Sequence, residues 1–539
     1  MINFNEPLLP SVRSFVASRS DDNLIPLSRA QGKFLFDDLA AITEPIVEKT
    51  CYWNFVEMVQ PKDAVTMEKE YLAAFAKAGF KPGLIRHPNF EYRLEVPGIE
   101  TDDAREQITK ALEQIAHLER GLASSSSLDD RVKSLGCQLA RDKMLNDLNM
   151  AKLIDGITHQ DDQATKTAIV NIYGKLEPAY IELAQRLYQA NQAKITVDTP
   201  ECEYTSQDIA VFEQKLATAE DLYNIYRYGL DHYGACADVG GFGYNIVLDP
   251  GAINIDVRDT SRLGHPAVFV PAQVSYTLKK FLSVSEHELA HARQSLTLSR
   301  VFGFGGLKYK CSKEVNYESE GKWADYLFGL SIGQSVGLPH PYYVLGLEKA
   351  LQGYGFDDLF AYIFTLKQAL KDNPSTNASE AYSITRRLLR GCHQLTDNPV
   401  GFGNLKDMAY LVGFSEKWQL VNLGLGAYEF LSNVSPRGLQ ALEPLTIDEG
   451  YVEPFPKFKL ARDFWESEYK YTIKRRLLKA EEAAILASAH TAPTSSTPSL
   501  HTPADDGAMV CKPTGAVSAK SPARAAAPKK KIPWWQRIL

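Results

Sequence analysis

Apolar residues recur at three- and four-residue spacing through much of the chain, which predicts a mainly helical protein. Asp103–Ala123 carries Ile108, Leu112, Ile115 and Leu118, and Leu128–Ile157 carries Leu128, Val132, Leu135, Leu139, Met144 and Leu148. Ser124–Ser127 separates the two segments as a cap-and-turn cluster. Between Phe80 and Pro97 the pattern becomes loop and short strand, with Pro88 and Pro97 as punctuation. From about 240 to 272 it turns β-like: Asn245–Leu248, Ile253–Arg258 and Ala267–Val270 are short β-branched runs divided by turn residues. Helical periodicity resumes at Pro271, a favourable first-turn residue, and continues to about Ala489. From Ser488 to Pro528 large apolar residues almost vanish, which predicts disorder before the basic-aromatic end KKKIPWWQRIL. The domain reading is therefore a helical N-terminal region, 1–165, a central domain, 166–487, and a tail, 488–539.

Composition narrows the class. The chain has 539 residues, 45% of them hydrophobic, enough for a sizeable core. Its formal net charge of −7 argues against a protein that coats nucleic acid. Seven widely spaced Cys with no C-x-x-C predict reduced, mostly buried thiols rather than a disulfide framework. No basic-then-apolar leader opens the sequence and no stretch approaches 18 apolar residues. The expectation is a cytoplasmic protein with no transmembrane segment, unless a signal-independent route exports it. The tail can touch an acidic membrane surface, dock on a partner, act as a transport address, or be simply solvated.

The chemistry is concentrated in SVSEHELAHARQS, 283–295. His287-Glu288-Leu289-Ala290-His291 is an HExxH motif, expected by chance in about one to two of a hundred chains of this composition. On a helix the two imidazoles stand one turn apart and can share one Zn²⁺, while Glu288, rotated by about a quarter turn, can serve as general base towards a metal-bound water. A third ligand is required. Glu314, Glu318 and Glu320 all lie in KEVNYESEGKWADYLFGL. Periodicity puts Glu320 on the apolar side with Trp323, Ala324, Leu327 and Phe328, and Glu318 on a wet side with Lys322 and Asp325. An inward carboxylate is costly unless paired or metal-bound, so Glu320 is the candidate.

With these residues placed, the chain resembles the tyrosine/phenylalanine carboxypeptidase family, which includes the microtubule-associated tyrosine carboxypeptidase and bacterial relatives with a QEGLA motif. The similar segments run in order: HPNFEYRLE (87–95), NIYGKLEP (171–178), the β-rich run into EHELAH, ESEGKWADY (318–326) in the QEGLA position, RRLLRGC (386–392) and FGNLKDMAYLVG (402–413). Two departures stand out: the histidines are four apart rather than five, and EGKW replaces EGLA.

The resemblance implies an α+β, predominantly helical, zincin-like metallopeptidase with a small sheet beside the HExxH helix. It implies one Zn²⁺ per chain on His287, His291 and Glu320. The implied reaction removes a C-terminal aromatic residue from a peptide or protein. Such chemistry needs a cation for the terminal carboxylate, and the matching segments carry Arg387, Arg390 and Lys406. Tyr410 can donate to the oxyanion, and Asp407 can orient Lys406 or a histidine. The β-rich segment is either an edge that aligns an extended substrate or a strand covered on both sides. Rival readings are a zinc endopeptidase or aminopeptidase, and a catalytically silent scaffold. Gly240–Gly243 reads as a turn. His232 and His265 read as local residues, and His393 is a further candidate beside RRLLRGC.

Overall fold

The computed structural model describes residues 7–18, 25–26, 37–50, 63–85, 101–125, 127–192, 202–233, 236, 243–250, 252, 255–258, 266–274, 276–302, 315–333, 340–370, 373–425, 445–446 and 460–491. Within them the chain is mostly helical with a small sheet, an α+β arrangement. Backbone contacts divide it into two compact units, Met1–Phe464 and Trp465–Leu539.

In the first unit, α1 (Pro10–Ser18) precedes a two-residue strand β1 (Ile25–Pro26), α2 (Asp37–Thr50) and α3 (Ala64–Lys77). A helical hairpin follows, α4 (Thr101–Leu122) and α5 (Leu128–Thr158), within a residue or two of the expected spans. Ser127 makes the turn by accepting a hydrogen bond from the Asp130 N–H at 3.1 Å. The buried stripe of α4 is Ala104, Ile108, Ala111 and Ile115, a four-three-four spacing that keeps one face on its neighbours. Next come α6 (Asp162–Tyr173), which contains the expected domain boundary at 165/166, and α7 (Pro178–Gln192), which opens on its proline.

Two capped helices, α8 (Ser206–Phe212) and α9 (Ala219–His232), lead to the sheet. Each begins with a reciprocal capping box, Thr205 with Asp208 and Thr218 with Asp221. Strands β2 (Asn245–Asp249), β3 (Asp256–Arg258) and β4 (Ala267–Pro271) pair in the order β2-β4-β3, the first pair parallel and the second antiparallel. The inner strand is therefore β4, with Ala267, Val268 and Val270 fully buried.

The HExxH helix α10 spans Leu278–Phe302. It does not start at Pro271 as the periodicity suggested. Pro271 is the last residue of β4, the following Ala272 N–H donates to the Asp249 carbonyl at 3.1 Å, and Tyr276 bridges Ala217. Those backbone bonds hold the connection extended until Thr277 accepts from the Lys280 N–H at 3.2 Å. Helices α11 (Val315–Ser331), α12 (Tyr342–Leu351), α13 (Phe356–Gln368) and α14 (Pro374–Leu388), a 3₁₀ turn at Leu405–Met408, and α15 (Ala409–Asn422) follow. The unit closes with β5 (Leu445–Thr446), parallel to β1, and the short α16 (Leu460–Phe464).

The second unit contains a π-type turn, Trp465–Tyr469, and α17 (Lys470–Thr491). The 492–539 stretch, with KKKIPWWQRIL, lies outside the described residues, as do HPNFEYRLE (87–95), the glycines at 240–241, His265 and Glu314. Among the described residues no helix is long and apolar enough to cross a membrane. Cys137, Cys236 and Cys392 are buried, whereas Cys202 is exposed.

Helix α1 is fastened to α15 by polar side chains. Gln419 accepts from the Leu9 N–H at 2.9 Å and donates to the Pro7 carbonyl at 3.2 Å, while Ser11 donates to the buried Glu416. Tyr180 of α7 lies beside the same carboxyl. Burial pushes Glu416 up from its ordinary 4.5 to about 7, despite the Ser11 hydroxyl. A raised carboxyl favours the fold while protonated, so its contribution is full below pH 4.5 and is lost as the pH rises through about 7. At about 1.4 kcal/mol per pKa unit, Glu416→Gln is expected to match wild type at pH 4 and exceed it by about 3 kcal/mol at pH 8. Urea unfolding at the two pH values measures this; a difference that does not change with pH contradicts it.

Candidate functional site

Helix α10 puts its motif where α11 crosses it. Leu278, Phe281, Leu282, Leu289, Ala290 and Ala292 bury one side of the helix, which fixes the direction of the polar residues between them. The His287 and His291 rings lie 4.9 Å apart, centroid to centroid, with planes at 85°. The rings meet edge to face, one helical turn apart as the four-residue spacing predicts. Glu288 is half-buried and lies near Tyr226 and Tyr276. Burial first, and then the Glu288 charge, raise both phenols.

The two helices meet at Gly321. A Cβ there would lie 2.5 Å from both Cε1 and Nε2 of His287, so the imidazole occupies the space a side chain would take. Next to it, Glu320 is fully buried, as the periodicity required. Its carboxylate pairs with the equally buried Lys417 of α15, and Arg293 approaches its other oxygen at 3.4 Å. Truncating one partner of such a pair leaves a buried charge and costs about 3–5 kcal/mol.

Asp325 was expected on a wet face and is not there: it is 8% exposed. Most positions of α11 from Glu320 onward are buried, so the helix has no continuous solvent side. Asp325 Oδ2 faces His287 Nδ1 at 3.1 Å and accepts from Lys322 Nζ at 2.9 Å, while Oδ1 accepts from Ser283 at 2.9 Å. Burial opposes its charge, but His287 and Lys322 outweigh this and hold it well below the carboxylate range. The reciprocal effect raises His287, since Asp325 outweighs the burial that would lower it. The Glu318 side chain is outside the described residues.

The proposed carboxylate-gripping residues gather around one acid. Arg387 grips Asp407 with both arms, Nε to Oδ2 at 2.9 Å and Nη2 to Oδ1 at 2.5 Å. Lys406 and Arg390, both 7% exposed, add to the field. Burial opposes the Asp407 charge, yet these three cations pull it down to about 2. Asp407 thus grips Arg387, a partner the sequence reading, which offered Lys406 or a histidine, did not name. Arg387 Nη2 also approaches the Tyr410 hydroxyl at 3.4 Å, and its guanidinium lies 5.0 Å from the Tyr343 ring centroid. Lys322 joins the two groups: its ammonium is 5.5 Å from the centre of the Tyr410 ring.

His393 has a different role. Its Nδ1 lies 3.1 Å from Asp162 Oδ1, and the His393 and Gln394 N–H groups donate to the same carboxylate at 2.9 and 3.0 Å. These bonds pin the loop after α14 to the first turn of α6.

The donor set suits a divalent cation in part. His287 has a carboxylate at Nδ1, so Nε2 is the nitrogen it would offer to a metal, and His291 stands beside it. Glu320 is occupied by Lys417, and among the described residues no three His, Cys, Asp or Glu side chains are grouped to hold a metal ion. Two imidazoles are thus side by side, and Glu320 would join them only with a different position of its carboxylate.

No protein-family model, curated protein or solved structure matches this chain.

The close approach at Gly321 has a measurable consequence. Gly321→Ala is expected to force the His287 ring away and to cost about 1–3 kcal/mol. Gly121→Ala, in α4 with nothing within 4 Å, should be neutral or stabilise by about 0.5–1 kcal/mol. Equal denaturation midpoints for the two variants would show that the histidine does not depend on that glycine.

Proposed function

We propose that this chain is a zinc-dependent carboxypeptidase that removes a C-terminal aromatic residue from a peptide or protein. The observation that carries this reading is continuity. The HExxH helix is joined through Asp325, Lys322 and Tyr410 to an arginine of the kind a terminal carboxylate requires. The ordered resemblance of segments 171–178, 318–326, 386–392 and 402–413 to the tyrosine/phenylalanine carboxypeptidases agrees with it, and supplies the preference for Tyr or Phe. A zincin-like arrangement around α10 is part of the same proposal.

His287 and His291 are the histidine ligands in this reading, with Glu320 as the third. Zinc, when bound, polarises the scissile carbonyl and acidifies water. The chain's own residues do the rest. Glu288, half-buried beside Tyr226 and Tyr276, accepts the proton of the attacking water and returns it to the leaving amine. Arg387, preset by Asp407, receives the terminal carboxylate, with Arg390 and Lys406 strengthening the local positive field. Tyr410 is the hydrogen-bond donor to the developing oxyanion. An endopeptidase would need no such arginine, which separates the rival.

The test uses the full chain and peptides ending in Tyr or Phe, each as free acid and as amide, followed by mass spectrometry. Release of the terminal residue is expected from the acids only, and a zinc chelator should stop it. Glu288→Gln should slow it by about 10²–10⁴-fold. Internal cleavage of the amides would favour the endopeptidase. No release from any peptide, with zinc demonstrably bound, would favour the silent scaffold.

A further inference from the structure

A metal-ligating histidine has two ring nitrogens, and the second one is where a protein controls the first. Here Nδ1 of His287 lies 3.1 Å from Asp325, an acid on the neighbouring helix and 38 residues further along the chain. Asp325 is not a casual neighbour. Its Oδ1 accepts from Ser283, one turn before His287 on α10, and its Oδ2 is shared by His287 and Lys322. One carboxylate of α11 therefore spans a full turn of α10, and three donors fix both of its oxygens. Lys322 is half-buried, and its ammonium reaches both Asp325 and the face of the Tyr410 ring. This lysine stands where EGLA would carry an apolar leucine, so the link to Tyr410 is a feature of this chain's own sequence.

We propose that Asp325 is the positioning residue of His287, fixing the proton on Nδ1 and presenting Nε2, and that Lys322 holds Asp325 in that place while tying it to Tyr410. The inference rests on the metallopeptidase reading for its purpose, since a presented Nε2 matters when it ligates. The orientation itself does not require that reading. Serine, lysine and imidazole together hold one acid, so removing a single donor loosens the acid, whereas removing the acid releases all three.

Zinc affinity of the full chain, measured by competition with a chromophoric chelator, tests the role. Asp325→Asn is expected to weaken zinc binding about 10–100-fold. Lys322→Met should weaken it by a smaller factor, and Asp325→Glu should recover part of the loss. Asp147→Asn, which alters a buried acid paired with Lys143 far along the chain, should leave it unchanged and so controls for general loosening. Unchanged affinity in both Asp325→Asn and Lys322→Met overturns the proposal, as does an equal loss in Asp147→Asn.

A second readout separates this inference from the reading it rests on. In protein labelled with ¹⁵N-histidine, the His287 ring signals should show the Nδ1–H tautomer in wild type and lose it in Asp325→Asn. If wild type and His287→Ala bind zinc equally weakly, the metallopeptidase reading fails. The ring signals then decide Asp325 alone: a tautomer that depends on Asp325 upholds the positioning role, and one indifferent to it removes that role.

Discussion

The burial of charge where α10, α11 and α15 meet is the constraint on which the rest of this structure depends. Arg293, Glu320 and Lys417 come from three separate helices, and Glu320 and Lys417 have no exposure at all. Withdrawing such groups from water costs several kcal/mol each, recovered only when partners sit at the right distance. Slippage of any of the three helices therefore leaves a charge stranded. Apolar packing alone tolerates small shifts far better, because it has no direction. The aromatic cluster of Trp323, Tyr326, Phe414 and Trp418 between α11 and α15 supplies area, while the ion pairs supply register.

The same register sets what stands around the motif. Lys417 lies between Glu416 and Gln419, the residues that bind α1, so the N-terminal helix and the buried glutamate pull on one stretch of α15. About two turns away, Tyr410 of α15 meets Arg387 of α14. Asp407 engages the guanidinium through two of its nitrogens and so holds it in one orientation. Arg390 and Lys406 add to the positive field around Asp407.

Much of this was legible in the sequence, and the failures have physical causes. The α4–α5 hairpin was readable because its stripe is regular and Ser127 caps it. Glu320 was readable as inward because Trp323, Ala324, Leu327 and Phe328 mark one face of its helix. Asp325 was misplaced by the same logic. Helical periodicity assumes one wet side, and α11 is enclosed on most sides, so its minority of polar residues points into the protein rather than out of it. The density of large apolar residues in WADYLFGL was the available signal. Pro271 misled for a different reason: a proline serves equally at a helix's first turn and at a strand's end, and only the pairing with Asp249 distinguishes them. Lys417 could not be paired with Glu320 from sequence, since 97 residues separate them.

The chain also contains its own demonstration that residue types do not make a site. Cys392, His393 and Asp162 assemble a thiol, an imidazole and a carboxylate, the ingredients of a nucleophilic centre. Their arrangement defeats that chemistry. Burial pushes the Cys392 thiol far up, and Asp162 pushes it further, so the thiolate is suppressed. Asp162 meanwhile accepts two backbone N–H groups, which commits it to holding a loop. At His287 the geometry runs the other way. Among the described residues the acid there takes side-chain donors only, its imidazole has a second nitrogen turned from the acid, and a glycine makes room for the ring. Both pairs are a histidine against a buried aspartate at 3.1 Å; what else the carboxylate must hold decides whether the imidazole is a fastening or a candidate ligand.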